Sequence, residues 1–202
     1  PPLAPENLMT PSRFTDRRGM LLVAGWTGGY PTPNSDSLEW FADHVLPVVK
    51  RRSPWAYLAV TGAGPPVELQ RLSGPSLQFL GRVDDLRPVY DRARVAVAPV
   101  RYGAGVKRKV TDAIQHGVPV VTTAVGAEGI PGAGGSAISV HDNPEAFAAR
   151  LLELLDDRPA WEAARAEIAD LQERWTAGGG LSWPAILDTA LMEKTVGSAR
   201  HG

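Results

Sequence analysis

In the stretch RYGAGVKRKVTD, residues 101–112, three cations, Lys107, Arg108 and Lys109, stand where a helical pattern begins. A helix start carries partial positive charge and unpaired amide donors, so cations there are unfavourable unless an anion joins them. Just upstream, Gly103 and Gly105 supply backbone that a ligand can approach without meeting a Cβ atom. Two readings follow. One is a solvated basic face; the other is a cradle in which glycine amides, Lys107 and Lys109 grip a diphosphate while Arg108 stays in solvent. On a helical wheel counted from Gly105, Val106, Val110, Ala113 and Ile114 form the stripe facing the core, and Lys109 and Asp112 share one flank.

Other chemistries find less support in the chain. The segment GAGVKRK lacks the spacing and the Ser or Thr of a P-loop, and it lacks the third glycine of a dinucleotide fingerprint. His44, His116, His141 and His201 show no metal-ligand spacing, and His116 beside Gly117 reads as a helix-end residue, so no metal site is expected. No nucleophile elbow is present. The absence of cysteine removes disulfides, thiolate metal sites and thiol nucleophiles together, and fits a reducing compartment; a cytoplasmic location is expected.

The elements that must position the cationic stretch alternate along the chain. Apolar runs such as MLLVAG, AYLAVTG, LQFLGRV, RVAVAPV and PVVTTA are separated by helical patterns such as SLEWFADHVLPVVKRR. This predicts an α/β fold: a Rossmann-like parallel sheet covered by helices on both faces, ending near His141, with C-terminal helices. Three such helices are expected, in NPEAFAARLLELLDD, RPAWEAARAEIADLQERW and SWPAILDTALMEKTV. Asp84 or Asp85 is the expected cap before Arg87, and Asn143 the cap before Pro144. The division predicted is a linker or interdomain segment over 1–19, the sheet domain over 20–175, and a terminal helix and tail over 176–202.

Ligands of open α/β sheets bind beyond the carboxyl ends of the strands. The turns at Gly25, Thr61 and Gly81 would therefore open on the same side as residues 101–105 and line one pocket. Trp26 either packs under a ligand or covers the end of the sheet. The glycine-rich AVGAEGIPGAGGSA, residues 124–137, is either a plain connection or a loop that approaches a ligand.

With 202 residues, 44% hydrophobic and 21% charged, the chain can bury one ordinary core. A net charge of −1 gives no global field for nucleic acid or an anionic membrane, so any anion must be held by a local cluster. No apolar run reaches the roughly 18 residues of a spanning helix. The chain opens on Pro without a signal-peptide pattern, and reads as part of a longer protein beginning in a linker.

From roughly Leu21 to Asp157, and most specifically in RYGAGVKRKVTDAIQHGVPVVTTAVGAEGI, the sequence resembles the carboxy-terminal, donor-binding domain of GT-B fold glycosyltransferases of the retaining group 1, or family 4. One branch of that family carries a similar arginine, aromatic, Gly-Ala-Gly segment, a nearby lysine pair and a Gly-x-Pro-Val-Val strand. The resemblance implies a domain that grips a nucleotide-diphosphate sugar as donor for hexosyl transfer. It also implies a separate amino-terminal domain that supplies most of the acceptor site; neither a resident cofactor nor a nucleic-acid partner is expected.

The resemblance also implies roles for individual residues. Gly81, Arg82 and Val83 would approach the base, and Asp112 would accept from the ribose. Gly103, Ala104, Gly105 and Val106 would wrap the diphosphate, with Lys107 and Lys109 as the catalytic cations; Gly25 and Trp26, at the end of the first strand, are counted with the donor-binding candidates from their position alone. Two departures stand out. Ala104 occupies the place of the first of two glutamates common in the family, leaving sugar contacts to the glycine-loop backbone or to Glu128. The usual arginine and lysine after the first strand are absent, and Lys107 and Lys109 would compensate from across the pocket. The competing readings are a nonenzymatic nucleotide-binding or interaction module of the same fold, a sugar-nucleotide epimerase-like domain, and a Rossmann-like domain with an unrelated ligand.

Overall fold

The computed structural model describes residues 13–26 and 29–177. Six strands, β1 (Met20–Val23), β2 (Leu58–Thr61), β3 (Leu77–Gly81), β4 (Val95–Ala98), β5 (Val120–Thr122) and β6 (Ile138–Val140), form one all-parallel sheet in the order β3-β2-β1-β4-β5-β6. The apolar runs read from the sequence are these strands, and alternation along them feeds two separate cores. Met20, Leu22, Leu58, Val60, Val95, Val97 and Val121 face one core, and Leu21, Ala96, Ala98, Val120 and Ile138 face the other.

The first core is closed by α1 (Pro33–Trp40), α2 (Leu46–Arg52) and α7 (Pro144–Asp156). The second is closed by α4 (Arg87–Arg92), α5 (Arg108–Gln115) and α8 (Arg158–Ala177). Two short helices, α3 (Val67–Gln70) and α6 (Ala124–Ala127), sit in connections. Between α1 and α2 runs a π turn, Phe41–Val45, in which the Leu46 amide donates to the Phe41 carbonyl. Pro47 explains its position: it brings no N–H and crowds the carbonyl four residues back, and a wider turn just before it relieves both.

Caps follow the sequence in part. Asn143 Oδ1 accepts from the Glu145 and Ala146 amides at 2.9 and 3.1 Å, with Pro144 in the first turn. At α4 the N-cap position is Leu86, while the Asp85 carboxylate accepts from the Arg87 amide at 3.0 Å. Helix α5 starts at Arg108, three residues later than the wheel from Gly105 assumes. Val110, Ala113 and Ile114 are fully buried, as the stripe requires, and Val106 packs on the same core from the preceding loop.

Two segments differ from expectation. Residues 13–19, expected within a linker, lie against the domain: Arg17 is fully buried, its guanidinium donating to the Tyr90 and Ala93 carbonyls at 2.8 and 3.1 Å. Phe14 meets the Trp161 ring edge-on at 5.5 Å and carries the Arg94 guanidinium over its face at 3.7 Å. The glycine-rich stretch 124–137 is packed and not a free connection. A Cβ on Gly132 or Gly135 would fall 2.3 Å from Leu171 or 2.0 Å from the Glu167 carboxylate, both on α8. The expected helix in SWPAILDTALMEKTV lies outside the described residues. Among those described, no helix is long and apolar enough to cross a membrane.

Candidate functional site

The strand order reverses between β1 and β4, so the chain leaving β1 and the chain leaving β4 turn to opposite faces and part at the carboxyl edge. There an open crevice of about 500 Å³ is bounded by Val23, Ala24 and Gly25 after β1 and by Pro33 and Asn34 at the start of α1. Val100, Tyr102, Ala104, Val106 and the first turn of α5 form the other wall, and Leu86 completes it. Pegs hold that wall in place. Thr122 Oγ1 donates to the Ala98 carbonyl at 2.7 Å, and Thr123 Oγ1 donates to the Val100 carbonyl while accepting from the Gly126 amide at 3.0 Å.

The three cations separate in space. Lys107 is the N-cap residue of α5, and no side chain caps the helix. Its ammonium donates to the Gly103 and Gly105 carbonyls at 2.9 and 2.5 Å and lies 3.8 Å from a Glu128 carboxylate oxygen. Burial lowers its pKa and the Glu128 charge works against that shift. Lys107 thus ties the glycine turn into a ring closed on its own carbonyls, with Gly103 at φ 113° and Gly105 at φ 79°, conformations that suit glycine alone. Arg108 is exposed at the rim.

Lys109 points into the crevice. Its ammonium donates to Asn34 Oδ1 at 2.5 Å, and no carboxylate among the described residues pairs with it. A sliver of the side chain stays accessible, yet burial, with the Lys107 charge adding to it, pushes Lys109 down to about 8. Asp112 lines the same crevice; burial raises its carboxyl, partly opposed by Arg108. A cation at the positive end of a helix, beside another cation and facing a neutral amide, is short of one negative partner.

The remaining expected residues distribute as follows. Gly25, Ala104, Val106, Lys107, Lys109 and Asp112 are on the crevice wall. Trp26 is in the core, edge-on to Phe79 at 6.4 Å, so its ring seals the sheet end and forms no part of the wall. The turn at Thr61 packs inward, a Cβ on Gly62 falling 2.6 Å from the Ala24 carbonyl. Gly81, Arg82 and Val83 stand off the wall; Arg82 pairs with Asp84 at 2.9 Å in solvent, and from that connection only Leu86 reaches the crevice. Glu128 is exposed and meets the site through Lys107. Among the described residues no three His, Asp or Glu side chains converge to hold a metal ion.

Sequence reasoning missed Asn34 and Asp36. Asp36 receives the Arg101 guanidinium in a two-pronged bond, one arm at 2.9 Å, joining α1 to the β4 loop. A signal existed: TPNS has the form of a capped helix start, with Thr32 accepting from Ser35 and Pro33 in the first turn, and a helix that follows β1 must begin at the same edge as the cationic loop.

Comparison with known proteins agrees with this architecture. Residues 22–157 match the profile of the family described as "Glycosyl transferases group 1". A Klebsiella pneumoniae protein described as "Uncharacterized 44.6 kDa protein in cps region" is 27% identical over 128 residues, which is 59% of this chain and 33% of that protein. The fold is similar to S. aureus TarM, solved with fondaparinux, alpha-GlcNAc-glycerol and UDP, at a TM-score of 0.67 and 14% identity, covering 90% of this chain and 36% of TarM. It is also similar to the C-terminal domain of a glycosyl transferase group 1 family protein from Francisella tularensis, at a TM-score of 0.61 and 14% identity, covering 86% of this chain and 95% of that domain. The chain therefore spans only about a third of the Klebsiella relative and of TarM. Structural likeness at such identities speaks for the fold, while the profile match runs from β1 to the end of α7 and takes in the whole crevice. On that match the chain belongs to the glycosyl transferases group 1 family.

Proposed function

We propose that the crevice receives the nucleoside diphosphate of a sugar donor, and that the chain is the donor-binding half of a retaining glycosyltransferase. A hexosyl group would pass to an acceptor held by a second domain. The observation that carries this reading is Lys109, an ammonium facing an open crevice at an uncapped helix start, with only a neutral amide as partner among the described residues. A diphosphate would supply the missing charge, taking bonds from Lys109 and from the first-turn amides of α5. Departure of the nucleoside diphosphate builds negative charge as the glycosidic bond breaks, and preorganised donors lower that barrier. Asp112, one turn further along the same flank, would accept from the ribose hydroxyls. Lys107 would act by shaping the glycine turn.

The test is titration of UDP and of uridine into the wild-type chain and Lys109→Ala. UDP affinity falls about 10- to 100-fold, the worth of a charge-assisted hydrogen bond, while uridine affinity is unchanged. Equal loss for both ligands would remove Lys109 from the phosphate site. A second reading, a nonenzymatic nucleotide-binding module, is favoured by the exposed Ala104 on the wall where the family commonly has a carboxylate. Hydrolysis of a UDP-sugar by the full-length parent separates the two.

A further inference from the structure

Lys109 is held from the far side of the crevice. Asn34 accepts from its ammonium through Oδ1 at 2.5 Å, and Asn34 Nδ2 donates to the Gly25 carbonyl at 2.6 Å. One side-chain amide thereby joins the loop after β1, the start of α1 and the first turn of α5. Its orientation is settled by chemistry: an ammonium can only donate and a carbonyl can only accept, so the amide oxygen must face Lys109 and the nitrogen must face Gly25. The backbone under Asn34 is equally constrained. Pro33 precedes it in the first turn of α1, and the Thr32 and Ser35 side chains cap each other's amides at 3.2 and 2.7 Å. Two residues on, Asp36 clasps Arg101 from the opposite loop, so α1 grips the β4 side at two points.

We propose that Asn34 is the positioning residue of this site, holding the Lys109 ammonium aimed across the crevice before a diphosphate arrives. This rests on the donor reading above. A free lysine on four methylenes loses rotamer freedom when it grips a ligand, whereas one already held loses little. The charged groups that line the crevice with Lys109 are Lys107, Arg108 and Asp112, all on its own segment, and the Arg101–Asp36 pair that joins the β4 loop to α1 satisfies itself. Asn34 is the group that can orient the cation without cancelling it. Aspartate in its place would bond more strongly but neutralise the charge that a diphosphate needs. Alanine would leave both the ammonium and the Gly25 carbonyl without their partner.

The experiment compares the full chain with Asn34→Ala and Asn34→Asp by two readouts. The first is the titration midpoint of Lys109 without ligand, followed by NMR of isotope-labelled dimethyl-lysine, a modification that keeps the charge. The second is affinity for UDP, with uridine as control. Asn34→Ala lowers the Lys109 midpoint and weakens UDP about tenfold with uridine unchanged. Asn34→Asp raises the midpoint, yet fails to restore UDP affinity. An identical Lys109 midpoint in all three chains overturns the proposal, as does equal loss of UDP and uridine in Asn34→Ala. If the midpoints move as stated but none of UDP, GDP, ADP and dTDP binds the wild type, the link from Asn34 to Lys109 stands and the donor reading falls.

Discussion

Lys109 carries its charge at neutral pH in surroundings that disfavour it. Its pKa of about 8 in the folded chain lies below the ordinary lysine value of 10.5, because burial and the neighbouring Lys107 both oppose the charge. Between those two values the unfolded chain binds more protons than the folded one, so stability rises with pH across that window, and below it the whole penalty is present. Lys109→Met removes the penalty. At pH 7 it raises stability by on the order of 1–3 kcal/mol, less than the full shift implies because the residue keeps some solvent contact. In urea unfolding the advantage over wild type shrinks as pH approaches 10.5. On the donor reading the same substitution weakens UDP, and wild-type affinity for UDP is expected to decline as pH rises past about 8. A residue that costs stability, and to which the donor reading gives a binding role, is legible in sequence only as one of three adjacent cations. Which cation faces the crevice depends on side-chain directions at a helix start whose position the sequence placed three residues too early.

At the scale of elements, the crevice depends on how the ends of β4 and β5 are pegged together. Gly126 sits where the Thr122 and Thr123 hydroxyls reach the Ala98 and Val100 carbonyls, and a Cβ there would fall 2.0 Å from Thr122 Oγ1 and 2.9 Å from the Ala98 carbonyl oxygen. Gly126→Ala must displace backbone or break a peg, costing about 2–3 kcal/mol in denaturant unfolding. Gly134 lies in the same glycine-rich stretch at φ 96° with nothing within 4 Å of its added Cβ. Gly134→Ala therefore costs about 1–2 kcal/mol, from backbone conformation alone. Equal costs at the two positions would show that the peg yields freely. From sequence these glycines were indistinguishable, because composition reports conformational freedom and not the neighbour that forbids a side chain.

At the scale of the whole molecule, residues 13–19 pack against the domain, and they are expected to unfold with it. Phe14 lies between Arg94 and Trp161, and Trp161 Nε1 donates to the Arg94 carbonyl at 2.8 Å, tying the segment to the foot of β4 and to α8. Phe14→Ala should cost about 2–3 kcal/mol, below the value for a fully buried phenylalanine because the ring keeps some solvent contact. Retention of a single transition at a lowered Tm is the expected result; an unchanged Tm would return the segment to the status of a linker. The sequence by itself announced one core where the sheet divides two, but it determined the alternation of strands and helices, and therefore the parallel sheet, its covering by helices on both faces and the edge at which a ligand would enter. Those follow from local periodicity and from the chirality of parallel crossovers, which each segment encodes on its own. Only the tertiary structure decided that Trp26 and the Thr61 turn serve packing, that Arg82 stays in solvent, and that Asn34 meets Lys109. Those pairings span up to 75 residues of chain and are set by strand order and helix rotation, quantities that no local pattern contains.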